Sequence, residues 1–531
     1  MGSTTKIIFD MMCFACIITP FLEAVRILVI IPIPSYSHQI SYRPLWTALS
    51  RRGHKLVVLT TDPVNDPNIT NLAEIDFHYN YRLLREANHV KMMEHDTWLT
   101  VERNLLFPVG NELTEDIYKH SKVRKMYAPD SDQKFDVVIV EVIKTPGLYA
   151  LAHRFNAPLI GISSLGIYSH TYYLLGAPVL PSHPSNWEIE RATGFNLSLW
   201  QRLKNFIKQW CQIYCMFNHF YPQQQAIAEK YLGKSIPNII DMERNISIIL
   251  YFQQEALSFI RPKTSNVIVF GNAHVSNNHS ALPKNLNKFL VDAPNGFIYM
   301  SLGTNVHMTN FPKHVLNAFC DIFANLSIKV VWKMDAELTN KSDNIYTAKW
   351  FPQQSLLAHP KIRLFIYQGG LQSTEEAIYN AVPLIGLPIL ADQYMHISKM
   401  VSLGVAKYLN YRNISKEIVN SSITEILNDK RYKERMLQLK AVNEDKPFNL
   451  LDNAIWWIEY VIRHKGASHL RSSIAYDPWY QRYDMDIIAI LSIITFIILF
   501  CTLLIIYKLL KIIFKNRNTN KQFINITKKI N

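Results

Sequence analysis

Short apolar runs recur along the chain, each separated from the next by a turn signal and a segment of helical period. In the N-terminal half "RILVIIPI" (26–33) leads into the loop "PSYSHQ", a helix ending near Arg52-Gly53, and the run "HKLVVLTT" (54–61). Gly53 suits the position after a helix C-terminus, where a left-handed residue is needed. Neither run alternates with polar residues, so both read as parallel strands covered on two faces, one βαβ unit. The pattern returns with "FDVVIVE" (135–141), a helix around 147–155, and "APLIGISS" (157–164). Between about 165 and 250 it turns aromatic and helical. A second half begins at "NVIVFGN" (266–272) and continues through "GFIYMSLGT", "KVVWKM", "IRLFIYQ" and "VPLIGLP". Such alternation predicts an α/β fold with two doubly wound sheets facing a cleft. Ligands in sheets of this type bind beyond the carboxyl ends of the strands.

The ends predict a membrane topology. Residues 6–24, "KIIFDMMCFACIITPFLEA", read as a secretory signal peptide with cleavage near Ala24, although Asp10 and Leu22 fit the pattern poorly. The alternative is an uncleaved anchor. Residues 487–507, "IIAILSIITFIILFCTLLIIY", carry no charge and, at ~1.5 Å per residue, reach the ~30 Å of a bilayer core. Asp484 and Asp486 precede this run and a lysine-rich tail follows, which places the tail in the cytosol and the body across the membrane. Glycosylation sequons begin at Asn68, Asn196, Asn245, Asn278, Asn325, Asn340, Asn413 and Asn420. Lys528 and Lys529, in the terminal "KKIN", resemble a dilysine retrieval signal of the endoplasmic reticulum; the plain reading is a basic juxtamembrane tail.

Composition narrows the function classes. The 531 residues are 49% apolar and 18% charged, enough for large cores. The net charge of +14 does not indicate nucleic acid. Seven of the basic residues, from Lys508 to Lys529, lie in the acid-free tail, and the rest are dispersed without basic-aromatic interleaving. Cys13 and Cys16 have a C-x-x-C spacing but sit in the apolar leader. Cys211 and Cys215 share one face of a probable helix, and no zinc site or disulfide framework is visible.

The densest chemistry lies in "FIYQGGLQSTEEAIYNAVPLIGLPILADQ" (365–393). Gly369-Gly370 ends a strand and opens a helix, where free N–H groups attract an anion and a missing Cβ admits one closely. Ser373 and Glu376 lie one helical turn apart, and Asp392-Gln393 close the next strand on the same sheet edge. This stretch resembles the signature of the UDP-glycosyltransferases, the UDP-glucuronosyltransferase family of the endoplasmic reticulum, through Gly370, Ser373, Glu376, Pro383, Pro388, Asp392 and Gln393. "KWFPQQSLLAHP" (349–360) is similar to the family's uridine-binding segment, "MSLGT" to its Ser-Leu-Gly-Ser turn, and "WWIEYVIRHKGASHL" to its last helix before the membrane.

The resemblance implies a GT-B fold, two Rossmann-like domains, and transfer of a sugar from a UDP-sugar co-substrate to a small lipophilic acceptor without a metal or other cofactor. It implies that Trp350 stacks on uracil, Gln353 contacts the nucleoside and Glu376 holds the ribose hydroxyls. Ser301, Thr304, Gln368, Gly370 and Ser373 would face the diphosphate, Asp392 and Gln393 the sugar, and Arg261 of "FIRP" the donor. The expected organisation is a signal peptide 1–24, an acceptor-binding domain 25–258, a donor-binding domain 259–450, helices 451–486, a membrane helix 487–507 and a basic tail 508–531. Partners would be the donor, the acceptor, membrane lipid and a second copy in a homo-oligomer.

An acceptor hydroxyl needs a general base of near-neutral pKa, which points to histidine. His38, in the loop after the first strand, resembles the family's catalytic histidine. Its orienting carboxylate is an aspartate in the family; the matching position here holds Glu141, with Asp136 as the fallback. A second departure is Tyr367-Gln368, where most family members have Thr-His. Glutamine donates a hydrogen bond to phosphate but brings no positive charge, and Tyr367 is expected to add bulk beside the same site. These two departures keep open a second reading, a catalytically weak UDP- or lipophile-binding protein on the same scaffold.

Overall fold

Every strand pairs parallel to its neighbours, as unbroken apolar runs require. The computed structural model describes residues 24–85, 90, 92, 98–188, 196–276, 279–336, 338 and 341–530, with side chains as far as residue 518. The expected signal peptide, but for Ala24, and the sequons at Asn278 and Asn340 lie outside the described residues. The chain divides into two units, residues 1–472 and 473–531.

The first unit holds both sheets. β1 (Arg26–Ile31), β2 (Lys55–Thr60), β3 (Leu72–Asp76), β4 (Val137–Glu141), β5 (Leu159–Ser163), β6 (Ile248–Tyr251) and β7 (Val267–Val269) form one, ordered β3-β2-β1-β4-β5-β6-β7. β8 (Phe297–Ser301), β9 (Lys329–Lys333), β10 (Ile345–Ala348), β11 (Ile362–Tyr367), β12 (Leu384–Gly386) and β13 (Ala406–Tyr408) form the other, ordered β10-β9-β8-β11-β12-β13. In each sheet the winding reverses beside its first strand, between β1 and β4 and between β8 and β11. Crevices open at these switch points, at the carboxyl ends of the strands.

The two-residue period of a strand sends neighbouring side chains to opposite faces. Ile27, Val29 and Ile31 of β1 therefore enter one core cluster, and Leu28 and Ile30 another. In β11, Leu364 and Ile366 face one side, Phe365 and Tyr367 the other. Helix α1 (Tyr36–Arg51) follows β1 and buries Tyr42, Leu45, Trp46 and Leu49 against the N-terminal sheet.

Five further helices matter below: α2 (Leu199–Cys215), α3 (Gln353–Leu357), α4 (Leu371–Tyr379), α5 (Gln393–Ser402) and α6 (Leu450–Arg463). α6 crosses back to the N-terminal sheet. Its Ala454, Ile455, Ile458 and Val461 are buried in the cluster of β1, β2 and β4 side chains. Arg52 Nη1 donates to both oxygens of Glu459 at 3.2 Å, and His54 Nε2 lies 3.3 Å from Oε1. The sequence pattern found this helix but not the half it packs on. The second unit is dominated by α7 (Met485–Ile530), in which 485–518 is long and apolar enough to cross a membrane.

Candidate active site

The turn after β8, the start of α3 and the glycine turn between β11 and α4 converge on a cavity of about 440 Å³. Eight residues singled out in the sequence line it: Ser301, Thr304, Trp350, Gln353, Gln368, Gly370, Ser373 and Glu376. Tyr36 and Ser37, at the start of α1, close it from the N-terminal half. Two hydrogen bonds hold the halves together near this mouth, Asn305 Nδ2 to Ser35 Oγ at 3.1 Å and Gln372 Nε2 to the Ser164 carbonyl at 3.1 Å.

The two glycine turns are there for space. Gly369 has φ +96°, and a Cβ on it would stand 2.8 Å from the Gln393 carbonyl and 2.7 Å from the Ile397 side chain. Gly303 has φ +76°, and its Cβ would stand 2.3 Å from Gln368 Nε2. A side chain at Gly303 would press on Gln368 at the cavity wall, and one at Gly369 would push against α5 behind it. Gly370 caps α4 without a side-chain hydrogen bond, so the helix presents its N-terminal N–H groups to the cavity.

Gln353 organises the nucleoside end. Its Nε2 donates to Ser373 Oγ at 2.8 Å and to Glu376 Oε2 at 2.6 Å, while its Oε1 accepts from the Tyr299 hydroxyl at 3.2 Å. Gln354 Nε2 donates to Glu376 Oε1 at 3.2 Å and to the His274 carbonyl at 3.0 Å. Burial pushes the Glu376 carboxyl up to about 7, against the two glutamine hydrogen bonds, which favour its ionised form. Trp350 is 55% exposed, its ring meeting Tyr36 edge-on at 5.2 Å. The Lys333 ammonium lies 5.3 Å from the Trp350 ring centre and donates to the Gly303 carbonyl. Burial lowers the Lys333 pKa. Lys333 was missed in the sequence; its signal was a charged residue at the carboxyl end of β9.

The second cluster sits at the other switch point. His38 Nδ1 is 2.8 Å from Glu141 Oε1, and Glu141 is fully buried. Tyr42 and Ser164 hydroxyls donate to the same oxygen at 3.3 and 3.4 Å. Three donors on one oxygen suit a carboxylate, so Nδ1 carries a proton towards Glu141 and Nε2 is the ring nitrogen left for an acceptor. Asp136, the fallback partner, is at the opposite end of β4, where it accepts from the Arg26 amide at 2.7 Å.

Asp392 caps α5 in the interior. Burial raises its pKa, and the charges of His396 and His38 hold it down. His396, also missed in the sequence, lies 3.6 Å from Asp392 Oδ2 and donates from Nδ1 to the Gly369 carbonyl at 3.0 Å. Gln393 Oε1 accepts from the Ile389 and Leu390 amides at 2.9 and 3.1 Å, which fixes the turn before α5.

Two expectations fare differently. Arg261 does not line the donor-side cavity. Its guanidinium stacks 4.2 Å from the Tyr172 ring centre and donates to the Pro178 carbonyl. Tyr367 does not add bulk beside the site: strand alternation turns it into the core, where its hydroxyl is 3.1 Å from Thr374 Oγ1. Gln368 faces the cavity, with Oε1 buried and without a hydrogen-bond partner among the described residues. No group of three or more His, Cys, Asp or Glu side chains suited to a metal occurs among the described residues.

The sequence profile of the family described as "UDP-glucoronosyl and UDP-glucosyl transferase" matches residues 26–520. The chain is 32% identical to UDP-glycosyltransferase UGT5 of Dactylopius coccus over 503 residues, 92% of each chain. It is 28% identical to UDP-glucuronosyltransferase 2B15 of Homo sapiens over 501 residues, covering 88% of this chain and 91% of that one. Among solved structures, CalG4, the calicheamicin glycosyltransferase, superposes with a TM-score of 0.55 at 16% identity, over 83% of this chain and 99% of the other. That likeness identifies the fold as GT-B.

Proposed function

The chain belongs to the UDP-glucuronosyl and UDP-glucosyl transferase family, and on that premise we propose that it transfers glucose from UDP-glucose to a hydroxyl of a small lipophilic acceptor, with inversion and with His38 as general base. That it is a UDP-sugar glycosyltransferase follows from the family. The finer reading rests on one observation, the His38–Glu141 contact of 2.8 Å at the switch point beside the donor cavity.

In this reading Trp350 stacks on uracil and Gln353 contacts the nucleoside. Glu376 accepts from the ribose hydroxyls. Ser301, Thr304, Gln368, Gly370 and Ser373 face the diphosphate, and Asp392 and Gln393 hold the sugar. Asp392 and Gln393 stand beyond the cavity lining, at the start of α5, and Arg261, engaged with Tyr172 and the Pro178 carbonyl, is left out of the assignment. Glucose is favoured over glucuronate by charge. Lys333 is the single lysine or arginine among the described residues lining the cavity, and it stands over Trp350 at the uracil end. A glucuronate carboxylate beside Asp392 would meet a like charge.

The chemistry is one displacement. The acceptor O–H gives its proton to His38 Nε2 as its oxygen bonds to the anomeric carbon. The bond from that carbon to the diphosphate oxygen breaks on the opposite face, and UDP leaves with the electron pair. Glu141 stabilises the imidazolium through Nδ1–H, and the N–H groups at the start of α4 meet the charge growing on the diphosphate. The domain limits 25–258 and 259–450, the lumenal body and reticular location, the cytosolic tail 508–531 and a homo-oligomeric state belong to the same proposal.

Purified chain in lipid with UDP-glucose, UDP-glucuronate and a panel of phenols tests it. Glucosyl transfer that competes out with UDP and drops sharply in His38→Ala is the expected result. Unchanged transfer in His38→Ala removes the base. UDP binding without any transfer returns the binding-protein reading.

A further inference from the structure

His274 lines the donor-side cavity with a fully buried side chain. Neither of its ring nitrogens has a hydrogen-bond partner among the described residues. A buried imidazole is seldom left so.

Two carboxyls of α4 stand on either side of the ring. Nδ1 lies 3.7 Å from Glu375 Oε2, and Nε2 lies 3.7 Å from Glu376 Oε1. Each gap is about 0.5 Å longer than a hydrogen bond, so a small shift of the ring completes either contact. Gln354 fixes the residue in this place, donating from Nε2 to the His274 carbonyl at 3.0 Å and to Glu376 Oε1 at 3.2 Å. The Gln372 backbone also faces the ring. Lys446, on the segment before α6, donates to Gln254 Oε1 and acts on Glu375. From β8 the Tyr299 hydroxyl faces Glu376 across Gln353.

Burial holds His274 down to about 4, with the Gln372 backbone opposing, so at neutral pH one ring nitrogen donates and the other accepts. The two neighbours decide which. Glu376 accepts from Gln353 at Oε2 and from Gln354 at Oε1, and N–H groups on both oxygens suit a carboxylate. Glu375 has Gln254 on Oε1 at 2.6 Å and the Asn272 amide across both oxygens at 3.1 and 3.2 Å. Burial pushes Glu375 up to about 8, so it carries a proton at neutral pH, on Oε2, the less engaged oxygen. Nδ1 is therefore the acceptor, for the Glu375 hydroxyl, and Nε2–H is the donor, towards Glu376.

We infer, building on the reading that Glu376 accepts from the donor's ribose, that His274 is a positioning residue of the donor site: it holds the proton of the glutamate pair on Glu375 and donates from Nε2 to Glu376, which leaves the Glu376 carboxylate free for the two ribose hydroxyls. The same ring connects the nucleoside end of the cavity with the segment joining the halves, which Glu375 grips through Gln254 and Asn272.

Calorimetric titration of UDP into the full chain in lipid, from pH 6 to pH 9, tests it. His274→Asn places its amide at the level of Nδ1, which keeps a partner for Glu375 and removes the donor to Glu376. His274→Gln places its amide at the level of Nε2 and restores that donor. The parent is expected to lose UDP affinity below about pH 7. In His274→Asn the loss is expected to begin ~1 pH unit higher, a roughly fivefold weaker affinity at pH 7 with little change at pH 9, while His274→Gln keeps the parent profile. A parent profile in His274→Asn overturns the inference. Equal weakening at every pH in both variants also overturns it, because the ring then only fills space. Glu376→Gln separates the premise from the inference. If the acid loss persists there, the ribose reading of Glu376 fails and His274 loses its role with it. If the loss disappears there but is parent-like in His274→Asn, only the role of His274 fails.

Discussion

At the scale of single residues, the site separates groups that do chemistry from groups that hold them. His38→Ala is expected to lower kcat ~10²–10⁴-fold with UDP affinity unchanged, checked by steady-state kinetics and UDP calorimetry. Burial pushes Glu376 up to about 7, and in the proposed donor binding only its ionised form would accept from both ribose hydroxyls. UDP affinity is therefore expected to weaken as pH falls from 8 to 6. A flat profile, or the same profile in Glu376→Gln, removes that role. Gln368 faces the cavity with no charge, so Gln368→His is expected to tighten the donor only where the new imidazole is protonated, below about pH 6.5. Unchanged donor KM across pH 5.5–8 would mark Gln368 as a neutral replacement. The Tyr367-Gln368 pair was legible as a departure from the pattern. Its division into a core side chain and a cavity side chain needed the strand register.

At the scale of elements, α4 carries two adjacent glutamates with separate tasks. Glu376 faces the cavity. Glu375 turns to the segment joining the halves, accepting from Gln254 Nε2 at 2.6 Å and from the Asn272 amide at 3.1 Å. Burial pushes Glu375 up to about 8, with Gln254 and Asn272 opposing. A folded value above the unfolded ~4.3 contributes stability below that unfolded pKa and loses it as pH rises through about 8. Glu375→Gln should therefore raise the Tm relative to the parent at pH 8.5, with the advantage fading towards pH 4.5, as measured by calorimetry. The turn after β8 gives a second element-scale expectation. Gly303→Ala combines a φ of +76° with a Cβ 2.3 Å from Gln368 Nε2, and should weaken UDP binding by ~10-fold or more by displacing Gln368.

At the scale of the whole molecule, the chain returns from its second sheet to its first through α6. Ile458 is buried against the N-terminal sheet although it is distant in sequence. Ile458→Ala is expected to cost about 2–5 kcal/mol in urea unfolding, and to destabilise the half that does not contain it. The same return sets Arg52 and His54 on Glu459, so α6 is tied to the N-terminal half by ion pairs as well as by packing.

Much was decided by the linear sequence alone. Unbroken apolar runs allow only strands covered on both faces, so two parallel α/β sheets followed from them. Glycines at 303, 369 and 370 and Asp392 lie on turns after strands, and Ser373 and Glu376 on the helix that opens at Gly370, where local chemistry suffices to mark a ligand site. A candidate span at 487–507 is marked by length and hydropathy. Only the tertiary structure decided the rest, because each case depends on residues far apart in sequence. It paired His38 with Glu141 rather than Asp136, brought Lys333 and His396 into the site, set Arg261 on Tyr172, and turned Tyr367 into the core. It also turned α2 with Asn205, Gln209 and Gln212 inward: the helical period locates its two faces, but which of them is inward depends on whether Glu102 and Asn186 wait behind it.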